Sequence, residues 1–380
     1  MIAPARRARL LHVVLTLDVG GLERLVIELV NRADAARFDS HVLTIRHAGR
    51  RASDLRDPDV LHAAPPQSRW SMLWPRELAA EIRTLAPDIV HTHSGVWYKA
   101  SLAAALAGVR RSVHTDHGRL VPDRWHDRLT DGLAARRTGA VVAVSDPLAA
   151  YMRRALHVPT SRLRVIRNGV DVDAFAVHGA ARAASVVRSE LGIAPDVPVI
   201  GSIGRLDAIK DYALLIEAFA VLRAGWRGGP APALVIAGDG PERASLESRV
   251  RALDARVAAD VRFLGFRSDV RELLAAFDVF SLSSRSEGTS LSLLEAMSAG
   301  LCPVVSNVGG NADVLGPELA HRLVDSREPR VFGDALTDAL RAAERRRTDG
   351  DRARRRARSE YSLDAMVRAY ERLYSALLVT

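Results

Sequence analysis

Two carboxylates eight positions apart, Glu287 and Glu295, carry the strongest chemical signal in this sequence, in the run Arg285-Ser-Glu-Gly-Thr-Ser-Leu-Ser-Leu-Leu-Glu-Ala-Met-Ser-Ala-Gly300. Residues 278–282 read as a buried strand, and the residues from about 290 to 299 as a helix ended by Gly300. Glu287 then falls in the strand-to-helix loop and Glu295 inside the helix. Between them, Gly288, Thr289 and Ser290 are small enough to leave backbone N–H groups open at the helix N-terminus, an end with partial positive charge that binds phosphate readily. Eight helical residues span about 12 Å, the scale of a nucleotide sugar from ribose to hexose. The layout offers one carboxylate to a sugar, a helix end to a diphosphate and a second carboxylate to a ribose diol.

A second constellation is basic. Gly201, Ser202 and Gly204 end a predicted strand and would allow close backbone approach to a ligand. Arg205 follows with a planar fork for phosphate, and Lys210 with a compact point charge. The chain has only two lysines, Lys99 and Lys210. A lysine kept in a Gly-rich loop of so arginine-rich a chain points to a site that wants an ammonium.

These segments together resemble the retaining glycosyltransferases of the family-4 group, with their E-x7-E signature. Gly204-Arg-Leu206 with Lys210-Asp211 is similar to that family's GRL-x3-K-D segment, and Gly238-Asp-Gly-Pro-Glu-Arg243 to its GDGP-x-R loop. Phe263-Leu-Gly-Phe266 resembles its FLG turn, Asn168-Gly-Val-Asp171 its NGVD hinge, and Gly20-Gly21 its first phosphate-facing loop. The resemblance covers nearly the whole chain. It departs at Asp313, where the family often has glutamate, and at Ser283-Ser-Arg-Ser286, where the family commonly has proline.

The resemblance implies a GT-B fold: two Rossmann-like α/β domains facing each other across a cleft, with the C-terminal helix crossing back to the first. It implies that Arg205 and Lys210 hold the donor diphosphate and the charge that develops on it. Glu295 would take the ribose diol and Glu287 the sugar. Gly20, Gly21, Gly204, Gly288, Thr289, Ser290 and Leu291 would line the donor, with Phe266 near the base. His117, in His114-Thr-Asp-His-Gly118, has a family counterpart beside the transferred sugar. The acceptor would attack from the leaving-group face, and a donor phosphate oxygen would receive its proton. The expected donor is a UDP- or GDP-linked hexose and the acceptor a hydroxyl compound. No metal and no cofactor are expected: Asp171-Val-Asp173 sits in the hinge segment, and His91-Thr-His93 lacks a visible third ligand.

The elements that must position these groups alternate. Strand-like runs at 10–17, 41–45, 89–91, 112–115, 141–144 and 163–166 alternate with helical patterns, and a second series lies at 199–203, 233–237, 261–264, 279–282, 303–306 and 321–324. That alternation argues for parallel sheets covered by helices. Expected domains are residues 1–170 and 171–361, with 362–380 returning as a helix to the first. Residues 177–187 are small-residue-rich and weakly patterned. The basic runs at 345–347 and 352–358 read as a solvated face or mobile connection. In the first helix, Leu22, Leu25, Val26, Leu29 and Val30 form a stripe at helical spacing.

Composition narrows the classes. At 380 residues the chain suits two domains. Its one cysteine, Cys302, lies in an apolar run and reads as a small buried hydrophobe. No secretion signal and no apolar stretch of membrane-spanning length is evident, so a cytoplasmic protein is expected, with contact at an inner membrane face. The net charge of +9 is uneven, because residues 1–170 hold 26 basic and 16 acidic side chains while the rest hold 28 and 29. A basic first half suits an anionic membrane or a lipid-phosphate-linked acceptor. Aromatics at 5% and not interleaved with arginine argue against nucleic acid. Other readings are a sugar-nucleotide epimerase or phosphorylase on the same scaffold, and a basic membrane- or nucleic-acid-binding protein without catalysis. The last would not need the Arg205, Lys210, Glu287 and Glu295 set. A dehydrogenase is disfavoured, since no G-x-G-x-x-G follows the first strand.

Overall fold

In a computed structural model, residues 6–18, 20–68, 70–118, 124–175 and 180–379 are described. The chain divides into two compact units: residues 1–168 with 364–380, and residues 169–363. The first unit holds β1 (Ala8–Val14), β2 (Phe38–Thr44), β3 (Leu61–Ala63), β4 (Ile89–His93), β5 (Ser112–Asp116), β6 (Ala140–Ala143) and β7 (Leu163–Val165). They form one parallel sheet in the order β3-β2-β1-β4-β5-β6-β7. The second unit holds β8 (Val199–Ile203), β9 (Ala233–Ala237), β10 (Val261–Gly265), β11 (Val279–Leu282), β12 (Cys302–Ser306) and β13 (Leu323–Val324), ordered β10-β9-β8-β11-β12-β13. Both orders run outward in two directions from the first strand, the Rossmann pattern. In such sheets ligands bind beyond the carboxyl ends of the strands, where the order reverses. In the second unit that point lies between β8 and β11.

Strands covered on both faces must be apolar throughout, and β9, Ala-Leu-Val-Ile-Ala, is buried at every position. The helix Gly21–Arg32 buries Leu25, Val26 and Leu29 as its spacing requires, and Ile27 with them. Cys302 is buried in β12, and burial pushes its thiol up to about 11, so it packs as a hydrophobe. Gly201 is small for a different reason from the one its motif suggests. The Phe277 ring fills the space where its Cβ would be, 1.9 Å away, so the glycine serves core packing and not a ligand.

The C-terminal helix, Leu363–Val379, returns to the first unit. It buries Met366, Tyr370 and Tyr374. Arg111 Nε donates to the Leu377 carbonyl at 2.7 Å, and Arg32 pairs with Asp364 at 3.1 Å.

Several details depart from the sequence expectation. β3 carries no alternating signal in its three residues and was not expected. Of residues 321–324 only Leu323–Val324 are strand; a 3-10 helix, Pro317–Arg322, precedes them. Residues 176–179 lie outside the described residues, and Ala180–Glu190 is helix. The basic run is no mobile connection but an 18-residue helix, Ala343–Glu360. Its arginines obscure a second face of Asp349, Gly350, Ala353 and Ala357, all buried. Gly350 permits that close packing, since a Cβ there would stand 2.1 Å from the Gly300 carbonyl. Asp349 accepts from Arg322 Nε at 2.7 Å, with both side chains 2% exposed or less.

Candidate functional site

In the second unit, five loops meet at the carboxyl ends of β8, β9, β10, β11 and β12, and main-chain contacts tie them together. The loop after β9 lies against the one after β8. A Cβ on Gly238 (φ +145°) would fall 1.9 Å from the Gly204 carbonyl, and one on Gly240 2.4 Å from that of Leu206. Gly238 N–H donates to the Gly265 carbonyl at the end of β10 at 2.7 Å. The loop after β11 is held to the one after β8, because Arg285 N–H donates to Ile209 O at 2.7 Å and Ser283 Oγ to Asp211 O at 2.8 Å. Gly310 N–H donates to the Glu287 carbonyl at 3.2 Å, and a Cβ on Gly309 (φ +53°) would stand 1.9 Å from that oxygen. Only glycine fits these three approaches. The segments around Gly204, Gly238, Gly265 and Glu287 are therefore loops of one rim.

On this rim the structure brings Lys210 and Glu287 together. Lys210 Nζ lies 2.6 Å from Glu287 Oε1, with side chains 19% and 8% exposed. Ser284 Oγ donates to the same oxygen at 2.5 Å. A carboxylate this enclosed is held by charge and hydrogen bond together. Ser284 thus has a role that its motif did not reveal. Arg205 is largely exposed and held by Asp207, Nη2 to Oδ2 at 2.6 Å. Asp211, beside Lys210, takes φ +45° and pairs with both Arg285 and Arg327. That anchorage brings in Arg327, from a segment distant in sequence and carrying no motif.

The helix after Glu287 is Leu291–Ser298, with Ser290 at its N-cap. Thr289, Ser290 and Glu295 are buried, and Gly288 and Leu291 partly so. Phe266 is half exposed at the tip following β10. Asp171 caps a turn at Ala174 N–H, and Asp173 pairs with Arg358 at 2.5 Å.

In the first unit, β1 stops at Val14, short of the run at 10–17 that the sequence suggests, and Gly20 and Gly21 stand apart from the strand. They open the helix, Gly20 as N-cap with φ −175°, an extended backbone that any residue adopts. His117 follows β5 directly, its backbone N–H donating to Ser94 Oγ at 2.8 Å. His114 does not share that edge. It is buried on the opposite sheet face, stacked on Trp97 with ring centroids 3.9 Å apart. His91 and His93 do acquire a third imidazole, that of His12, with ring nitrogens of all three within 4.8 Å. The missing signal is register: His12 of β1 stands beside His91 of β4, a proximity that sequence spacing does not contain.

Residues 185–356 match the model for glycosyl transferases group 1, and residues 19–174 that for glycosyltransferase family 4. The chain belongs to the family-4 glycosyltransferases. It is 31% identical over 66% of its length, and 65% of the relative's, to the UDP-Gal:alpha-D-GlcNAc-diphosphoundecaprenol alpha-1,3-galactosyltransferase of Escherichia coli. It is 27% identical to the D-inositol 3-phosphate glycosyltransferase of Jonesia denitrificans, covering 93% of this chain and 92% of the relative. Among solved structures, Anabaena Alr3699/HepE in complex with UDP and glucose superposes with TM-score 0.84 at 21% identity, over 97% of this chain and 100% of that one. The fold of this family-4 member is GT-B, and it is a glycosyltransferase. No described helix is long and apolar enough to cross a membrane.

Proposed function

We propose that this family-4 enzyme is a retaining, metal-independent transferase that moves a hexose-type sugar from a UDP- or GDP-linked donor to a hydroxyl acceptor. The observation that carries the reading is the Lys210–Glu287 pair on the rim between β8 and β11, where a bound ligand would meet an ammonium, a carboxylate and a helix N-terminus together. Lys210 and Arg205 take the diphosphate, and Glu287 takes the sugar. Glu295 takes the ribose diol, Gly204, Gly288, Thr289, Ser290 and Leu291 face the phosphates and ribose, and Phe266 offers a face to the base. Gly20, Gly21 and His117 are the contributions of the first unit, His117 toward a sugar hydroxyl. The donor C1–O bond breaks, the acceptor oxygen bonds C1 on the same face, and the acceptor proton passes to the departing phosphate. Lys210 and Arg205 stabilise the charge that this leaves. Release or transfer of sugar over a panel of nucleotide sugars, with and without excess chelator, tests the reading. Turnover with one UDP- or GDP-sugar in chelator supports it, and turnover that needs added manganese refutes the metal-free part.

Glu295→Ala is expected to weaken nucleoside-diphosphate binding by about 1–3 kcal/mol, the scale for a lost charged hydrogen-bond partner. Calorimetric titration measures it, and wild-type affinity would remove Glu295 from the ribose.

The acceptor assigned here carries phosphate. The relatives named for an undecaprenol diphosphate and for inositol 3-phosphate support that chemistry, as does the basic first half of the chain. For a lipid-linked form, the first unit also exposes Trp70, Leu73, Trp74, Trp125 and Leu129, residues that favour a membrane interface beside basic groups. Cosedimentation with anionic vesicles is expected at low salt. It should weaken as the Debye length falls from about 30 Å at 0.01 M to about 8 Å at 0.15 M. Absence of binding at low salt makes a soluble phosphate-bearing acceptor the answer.

A further inference from the structure

A layer of buried imidazoles crosses the first unit's sheet. His12 of β1, His91 and His93 of β4, and Thr115 of β5 lie on one sheet face, because His12 stands beside His91 and His93 beside Thr115, and residues two apart in a strand share a face. His117 continues that parity one residue beyond β5. Central strands of a parallel sheet are ordinarily aliphatic, yet His12, His91 and His93 are each 1% exposed or less. Both nitrogens of His91 and His93, and Nδ1 of His12, are spent on two separate chains of hydrogen bonds. In one, Tyr374 OH meets His91 Nδ1 at 2.7 Å, His91 Nε2 meets Thr115 Oγ1 at 2.8 Å, and Thr115 Oγ1 meets Tyr370 OH at 3.0 Å. In the other, His12 Nδ1 meets His93 Nε2 at 3.1 Å and His93 Nδ1 meets His117 Nε2 at 3.1 Å. This second chain is a staircase that crosses one strand at each step and ends at the carboxyl rim. Its last atom, His117 Nδ1, is buried and has no hydrogen-bond partner among the described residues.

We propose that His12 and His93 are positioning residues that form a proton-ordered imidazole relay, which sets whether His117 Nδ1 donates or accepts a hydrogen bond. A neutral imidazole carries one N–H and one bare nitrogen. If His12 donates from Nδ1, then His93 must donate from Nδ1 to His117 Nε2, and His117 is left with an N–H on its open Nδ1. If instead His117 donates from Nε2, then His93 donates from Nε2 to His12, and His117 Nδ1 is a bare acceptor. The three rings therefore carry their protons all on Nδ1 or all on Nε2, and reversal of the row inverts the open atom without moving net charge to the rim. Burial supports neutrality, lowering His12 to about 3 and His117 to about 4, with His93 well below its ordinary value. The rival reading of His12, His91 and His93 as a metal centre must break one of the two bonds made by His91 and one of the two made by His93. That His117 meets a sugar oxygen rests on the transferase reading; the relay itself does not.

The test is nitrogen NMR of the full chain labelled with 15N-histidine at pH 7, each ring assigned by its loss in a single substitution, with metal analysis of the same sample. The expected result is one shared tautomer for His12, His93 and His117, no protonated ring and no stoichiometric metal. A His12→Leu variant, whose change lies two rings from His117, is expected to move both His117 nitrogens toward the averaged shifts of a tautomer mixture. Mixed tautomers in the wild type, a bound transition metal, or His117 shifts unchanged in folded His12→Leu would each overturn the relay. Should that variant fail to fold, the wild-type tautomers alone decide. An inactive donor panel beside one shared tautomer refutes the proposed donor chemistry and leaves the relay standing.

Discussion

Replacing Lys210 by alanine is expected to reduce turnover by about 10²–10³-fold, the scale for removing one preorganised group that faces developing charge, while donor affinity falls much less. The ammonium is well placed for this, 2.6 Å from Glu287 and mostly enclosed. The same change leaves the Glu287 carboxylate without its cation, which costs about 3 kcal/mol at the low end for an ion pair broken in a buried setting. Ser284 still donates to that carboxylate, which favours the low end. Stability and chemistry are separable by pairing Lys210→Met with Glu287→Gln. The double variant should recover most of the melting temperature and none of the turnover. Steady-state kinetics over a donor titration checks the claim, and Lys210→Ala turnover within a few-fold of wild type would end the assignment.

Acid is expected to unfold the first unit at a pH well above the range where carboxylates titrate. Burial lowers His12 to about 3 and His117 to about 4, and holds His91 and His93 well below the ordinary histidine value. Their unfolded values lie near 6.5, so between that pH and the folded values the unfolded chain binds more protons. Stability is complete above about pH 6.5 and is lost as pH falls below it, by up to ~1.4 kcal/mol per pH unit for each ring. Four rings remove roughly 5–8 kcal/mol between pH 6.5 and pH 5, comparable with the whole stability of a typical domain. Urea unfolding at pH 7 and pH 5 measures the difference, with His12→Leu less sensitive than wild type. An equal urea midpoint at both values would refute the argument.

The sequence is most readable where chemistry and local geometry coincide. The segments around Gly204, Gly238 and Glu287 proved to be strand-end loops, because a buried apolar run followed by glycines and a polar residue has few other places to go. Lys210 and Glu287 were each visible, but not their contact, which depends on loops separated by more than seventy residues. The helix Ala343–Glu360 was misread because arginines dominate its composition, whereas its packing rests on the small residues Gly350, Ala353 and Ala357. Small residues leave no hydrophobic stripe to find. His12 stayed invisible for a related reason, since the register of β1 against β4 is a property of the folded sheet. The Glu23 carboxylate, 2.2 Å from where a Cβ on Gly20 would stand, and the filled space above Gly201 show the converse, that a glycine in a recognised motif does not announce which neighbour required it.

The helix Leu363–Val379 supplies Tyr370 and Tyr374 to the first unit, yet it is translated only after the whole of residues 169–363. On the ribosome, β1 to β7 emerge first while the roof over His91 and Thr115 does not yet exist. The second unit is contiguous and needs no later residue, so it can close while the first still exposes an unfinished sheet face. Assembly order thus runs against the order of synthesis, and the nascent first unit is the stretch on which a cell's holding chaperones would be needed longest.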